Sequence, residues 1–216
     1  MMMSPESYYM GLKGKTAEEI LAELNGLRQE IFELKAALRS NDFAEPDIKP
    51  SKDVRLATAL DYFDMAKRAL IEAGGEYIPT EDEKRALGFS ARLDKLTVIK
   101  FSVSRRFLIT KTSTADFSCG KTSAKIICDT NPLYGNESRK KVGEIERERL
   151  ISELKSIHMG DWDSAYDRPG ILDGEEWSVT LRFSDGSEEC FRGSNAWPFS
   201  FTRFCDIMGL DADEDF

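Results

Sequence analysis

171-ILDGEEWSVTLRFSDGSEECFRGSNAWPFSF-201 is the stretch that decides the fold of the chain. Apolar and polar side chains alternate along residues 177–183, which places the apolar set on one face of a β-strand. The Asp-Gly pair at 185–186 follows, and this dipeptide readily adopts the positive φ angles of a tight hairpin turn. A second Asp-Gly pair at 173–174 is another turn signal. We therefore predict a three-stranded antiparallel meander with one solvent-exposed face, in which residues 166–172 supply the third strand.

The sheet ends at 193-GSNAWP-198, because Pro198 cannot donate a backbone hydrogen bond to a neighbouring strand. Two interpretations of Asn195 and Trp197 are open. In the first, these two side chains form a binding platform for a ligand. In the second, Trp197 is buried at a corner between the sheet and a short helix that Ser200 caps.

Four motifs lie in or beside this stretch. They are W-x3-Y at Trp162 and Tyr166, D-G-x-x-W at Asp173, Gly174 and Trp177, F-x-D-G at Phe183, Asp185 and Gly186, and G-S-N-A-x-P at residues 193–198. Over about residues 95–210 the chain thereby resembles a C-terminal module of uncharacterised bacterial proteins. The resemblance implies a shared fold and a bacterial or phage origin, and it implies no activity.

The first half of the chain predicts a helical arm at residues 16–90. A capping box, Thr16-x-x-Glu19, opens it. Six apolar side chains then recur at intervals of four and three residues: Ile20, Leu24, Leu27, Ile31, Leu34 and Leu38. This a/d spacing is typical of a coiled-coil seam. We predict an interface along it, either between two copies of the chain or with a second helix of the same chain.

The remaining elements follow from local signals. Residues 40–53 predict a linker, residues 53–73 a second helix capped by Asp53, and the box at 80–83 a short helix that stops at Gly88. β-branched runs predict strands at residues 96–103, 107–110 and 124–128, and residues 139–158 predict a helix. The fold class is therefore α+β, a helical, coiled-coil-like arm followed by an antiparallel-sheet domain at 95–210 with one or two packed helices. We expect disorder at residues 1–15 and an acidic tail at 211–216.

Composition restricts the location and the chemistry. No apolar run approaches the roughly 20 residues that span a membrane, and the start lacks the apolar core of a secretory signal. We therefore expect a cytoplasmic protein without membrane contact and with reduced thiols. The four cysteines form no C-x-x-C pair, and His158 is the single histidine. We accordingly predict no metal, no cofactor and no catalytic triad.

Three local patterns resemble sites of chemistry. The segment 115-ADFSCGKT-122 ends like a P-loop, but the sequence after it predicts a strand instead of the required helix. Asp161, Asp163, Asp167 and Asp173 lack the spacing of a calcium loop, so we interpret them as solvated turn residues. A basic zone follows Arg105, yet the chain has a sequence pI of about 4.9, and we expect no direct nucleic-acid binding.

Charge is spread unevenly and suggests the kind of partner. Residues 95–157 hold 13 basic and 7 acidic groups, whereas residues 158–216 hold 4 and 14. We predict a non-enzymatic protein–protein interaction protein that acts through its helical arm and its acidic α+β domain, with another protein or a second copy of itself as partner. One alternative is an acidic phage-borne or accessory inhibitor of a nucleic-acid enzyme. Another is a P-loop-like nucleotide binder.

Overall fold

The computed structural model describes residues 3–40, 49–105, 108–168, 170–171 and 174–210. The described helices are α1 (Pro5–Leu12), α2 (Ala17–Ser40), α3 (Lys52–Glu72), α4 (Glu81–Arg92), α5 (Arg147–Ser156) and α6 (Phe201–Ile207). The described strands are β1 (Leu96–Arg105), β2 (Ile109–Asp116), β3 (Ser123–Pro132), β4 (Ser138–Glu146), β5 (Ala165–Asp167), β6 (Glu175–Phe183) and β7 (Glu188–Ser194). The predicted α+β class is confirmed. Most of the predicted linker, Phe107, Asp173 and the acidic tail lie outside the described residues.

The chain divides into two compact units, Met1–Thr80 and Glu81–Phe216. In the first unit α2 opens with the predicted capping box, since the Glu19 backbone N–H donates to the Thr16 hydroxyl (3.2 Å) and the Thr16 N–H donates to the Glu19 carboxylate (2.7 Å). Ile20, Leu24 and Leu27 of the a/d stripe lie in one core with residues of α1 and α3, and α2 packs along α3. Part of the stripe is therefore covered within one chain, and pairing between two copies stays a prediction.

Helix α1 occupies part of the segment for which we expected disorder. The Ser4 hydroxyl caps its first turn, and Pro5 stands at the start, where a missing N–H costs nothing. Tyr9 and Leu12 are buried in the core that α1 shares with α3, and the Tyr9 hydroxyl donates to the Glu72 carboxylate. Burial of these two side chains gives α1 the tertiary contacts that a helix of eight residues needs to persist.

The second unit is built on one sheet of seven described strands in the order β4-β3-β2-β1-β6-β7-β5. Neighbouring strands are antiparallel, except that β5 runs parallel to β7. The predicted β6–β7 hairpin is present, with Gly186 at φ +80° in its turn. The predicted antiparallel third strand at residues 166–172 is wrong. Strand β1 takes the place beside β6, because Ile99, Phe101 and Val103 are almost fully buried and need apolar neighbours on both sides.

Two further expectations differ from the structure. Residues 138–146 form strand β4, and the helix predicted for 139–158 begins only at Arg147. Pairing with the open edge of β3 outweighs the helix propensity of the lysine and glutamate residues there. Helix α4, which the sequence placed in the arm, continues to Arg92 and lies in the second unit, where the Phe89 ring meets Phe191 edge-on at 5.6 Å.

The described helices of the second unit pack against one face of its sheet. Phe101 on β1 contacts the α6 rings of Phe201 (centroids 5.8 Å apart) and Phe204 (5.0 Å). The buried Ser113 hydroxyl on β2 donates to the backbone carbonyl of Met208 (2.5 Å), which ties the end of α6 to the sheet. This face forms the core of the unit. None of the described helices has the length and apolar character needed to cross a membrane.

Candidate functional site

The face of the sheet opposite α6 is the candidate site, and we call it the open sheet face. No described element of the second unit packs over it, and the side chains that point to it are exposed or half-buried. The outward positions of its four middle strands carry eight hydroxyl side chains: Ser102, Ser104, Thr110, Thr112, Thr114, Ser178, Thr180 and Ser194. The site therefore presents a polar surface on which these hydroxyls lie among charged side chains such as Lys100, Arg182 and Arg192.

The hydroxyl groups on neighbouring strands lie close to one another. Ser102 Oγ and Thr112 Oγ1 are 3.0 Å apart across β1 and β2, and Thr110 donates to Ser104 Oγ at 3.3 Å. Serine and threonine lose less rotamer entropy on burial than lysine, arginine or glutamate, which lose up to about 2 kcal/mol each. They also allow a partner to approach the sheet closely. Sequence reasoning missed these residues, although the polar positions of the β1 and β2 alternation mark them.

The open sheet face contains a hollow of about 560 Å³ where β1, β6, β7 and β5 meet. We call it the hydroxyl hollow, and Ser102, Ser104, Ser178 and Ser194 are among its lining residues. Charged side chains of both signs, Asp167, Glu176 and Arg192, also line it. Because a hydroxyl both donates and accepts hydrogen bonds, this lining suits reversible contacts with backbone amides and polar side chains.

Asn195 has contacts that stabilise the fold, and its part in a ligand platform stays a prediction. Its side chain is only 7 % exposed, its Oδ1 accepts a hydrogen bond from the Glu175 backbone N–H (2.8 Å), and its own N–H donates to the Glu175 carbonyl (2.9 Å). The residue has φ +53°, a conformation that asparagine tolerates better than most residues. Gly174 leaves room for the amide, since any Cβ there would overlap it. Asn195 thus pins the start of β6.

Trp197 does not fill the corner that the second interpretation gives it; an exposed ring accords with the first, a binding platform, which stays a prediction. Its side chain is 43 % exposed, and it does not line the hydroxyl hollow. The buried ring is that of Trp177, whose Nε1 donates to the Ala196 carbonyl (2.8 Å) and whose ring lies 4.8 Å from that of Phe201. Trp177 already occupies the space beneath the corner, so Trp197 is turned outward.

The segment 115–122 forms a turn between two paired strands. Strand β3 begins at Ser123, directly after the Gly-Lys-Thr sequence, so the helix N-terminus that holds phosphates in a P-loop is missing from this turn. The Asp116 carboxylate accepts a hydrogen bond from the Ser118 N–H (2.7 Å). Hydrogen bonds from Ser118 and the charge of Lys121 hold the pKa of Asp116 below its ordinary value. The turn is therefore ordered by its own carboxylate.

Other candidate chemistry stays dispersed. Among the described residues, no three His, Cys, Asp or Glu side chains come together in a way that could hold a metal ion. Cys128 and Cys205 are buried, and Cys119 and Cys190 are exposed.

A scan against protein-family models gives no match. Searches of curated proteins and of solved structures likewise find no similar protein.

Proposed function

We propose that this protein is an interaction protein and that its second unit binds a partner polypeptide across the open sheet face. The observation that carries the proposal is the lining of that face, hydroxyl side chains on neighbouring strands around a hollow of about 560 Å³. Charged side chains such as Lys100 and Arg182 also lie on this face, but the hydroxyls gather around the hollow. There the short side chains leave backbone and side-chain groups within reach of a second polypeptide.

The heptad pattern predicted that the helical arm forms the interface, whereas this proposal places the interface on the sheet of the second unit. Ile20 and Leu24 are each 1 % exposed inside the first unit, so they offer no surface to a second copy while that unit is folded. The proposal therefore rests on the sheet. Inhibition of a nucleic-acid enzyme would be a special case of it, in which that enzyme is the partner.

Site-specific photo-crosslinking tests the proposal. A photoreactive residue at Ser178, in the hydroxyl hollow, should give a discrete covalent adduct in cells that make the protein. The matched control is Thr202, an exposed hydroxyl residue on α6, which lies against the other face of the sheet. We expect no adduct from Thr202.

The identified partner then allows a quantitative test with purified proteins. Ser178→Arg should weaken its binding at least tenfold, because a long charged side chain would fill the hollow, and Thr202→Arg should change it less than about twofold. Wild-type affinity in the Ser178→Arg protein, with the expected helical and tryptophan spectra, would refute the proposal.

A further inference from the structure

A second hollow, of about 460 Å³, lies on the open sheet face between β2, β3 and β4, and we call it the basic hollow. Lys121, Lys125 and Arg139 line it together with the hydroxyl residues Thr114 and Ser123. Lys100 lies directly beside it, because the β1–β2 register pairs Lys100 with Thr114. The lining together with Lys100 thus holds four cations and two carboxylates, Asp116 and Glu144, in a chain whose net charge is −9.

Both carboxylates of the lining have partners of their own. The Asp116 carboxylate accepts a hydrogen bond from the Ser118 N–H (2.7 Å), and Glu144 pairs with Lys141 (2.7 Å). Among the described residues, Lys100, Lys121 and Lys125 have no carboxylate within ion-pair distance, whereas lysines elsewhere in the second unit, such as Lys95 and Lys155, have one. The surplus of cations over carboxylates favours an anionic ligand.

The surroundings of the basic hollow indicate which anion fits. Its lining contains no aromatic side chain on which a nucleobase could stack, and no described helix begins in it to hold a phosphate group. Lys100 and Lys125 lie two strands apart and two residues out of register, so about 12 Å separates their backbones. Alternate side chains of an extended peptide recur about every 6.7 Å. Carboxylates at i and i+4 of such a peptide therefore lie roughly 13 Å apart and reach both lysines.

We propose that the basic hollow binds an acidic segment of a polypeptide and so orients the partner on the open sheet face. This inference deepens the proposed function and rests on it. Two carboxylates, Asp167 and Glu176, and one cation, Arg192, line the hydroxyl hollow at the other end, so acidic residues of the partner segment are favoured at the basic hollow only. The charges thereby set the direction in which it lies.

The test uses the full chain and a fluorescent 12-residue peptide of alternating glutamate and serine, read by anisotropy at 50 mM NaCl. Lys121→Glu with Lys125→Glu should lower the affinity at least tenfold, and 500 mM NaCl should weaken wild-type binding by a similar factor. The control Lys84→Glu with Lys95→Glu carries the same change in net charge outside the hollow. It should lose less than about twofold.

Several results would overturn the inference. An equal loss in the two double variants would show an effect of net charge alone, and absence of peptide binding by the wild type would remove the site. Equal or tighter binding of a single-stranded 12-nucleotide DNA would replace the polypeptide by nucleic acid. Both variants are then tested against the partner that crosslinking at Ser178 captures. If Ser178→Arg loses binding of this partner and the Lys121→Glu, Lys125→Glu variant does not, this inference alone is rejected. If neither variant loses binding, the proposed function is rejected as well.

Discussion

Replacing Asn195 separates its role in the fold from a role in binding, because alanine and glycine remove the same amide but differ in backbone freedom. Both changes leave the Glu175 N–H without its partner, and a lost hydrogen bond of this kind costs about 1 kcal/mol. Alanine must also adopt φ +53°, which adds roughly 1–2 kcal/mol. We therefore expect Asn195→Ala to lower the unfolding free energy by about 2–3 kcal/mol and Asn195→Gly by about 1–2 kcal/mol.

Urea unfolding followed by tryptophan fluorescence measures this difference. All three tryptophans, Trp162, Trp177 and Trp197, lie in the second unit, so their emission reports on the unit that contains Asn195. The dependence of the unfolding free energy on urea should stay the same in both variants. The reasoning is refuted if Asn195→Ala is as stable as the wild type, or more stable than Asn195→Gly. Wild-type stability with lost partner binding would restore Asn195 as a binding residue.

Four further comparisons test the packing. Trp177→Ala should lower the unfolding free energy by about 3–5 kcal/mol, as for other buried aromatic rings. Trp197→Ala should stay folded and change the unfolding free energy, measured in urea, by less than about 1 kcal/mol. Leu24→Ala should lower the unfolding free energy of the first unit by about 2–5 kcal/mol, as measured by the loss of the helical circular dichroism signal, and should leave the sedimentation coefficient unchanged. Dissociation of a dimer without loss of helix would contradict the packing within one chain. Burial raises the pKa of Tyr8 to about 12, above the ordinary 10.0, so its contribution to stability is full below pH 10 and is lost as the pH rises towards 12. Between pH 10 and pH 12 the unfolding free energy of the wild type should therefore fall relative to that of Tyr8→Phe. A difference between the two proteins that does not change with pH would contradict the raised pKa of Tyr8. Tyr9→Phe should lower the thermal midpoint of the first unit at pH 7, because the bond to a glutamate is lost, and an unchanged midpoint would show that this bond contributes nothing.

The candidate site was only partly predictable. The sequence identified the alternation along residues 177–183, and the polar side of that alternation includes Ser178, a lining residue of the hydroxyl hollow. The sequence did not show that Ser102 and Thr112 lie 3.0 Å apart, because they belong to different strands whose register is set by pairing. It also directed attention to Asn195 and Trp197, whose neighbours in the chain resemble a binding loop. In the fold Asn195 is bonded to the start of β6 and Trp197 is exposed, and their binding role stays a prediction.

The sequence by itself determined the features that depend on neighbours a few residues apart. The capping box at Thr16, the helix that follows it and the β6–β7 turn at Gly186 are all encoded within such short spans. Only the tertiary structure decided that residues 138–146 are a strand and that β5 runs parallel to β7. The physical reason is that an open strand edge or a buried face is completed by segments distant in the chain, and the energy of that pairing and burial exceeds local propensity.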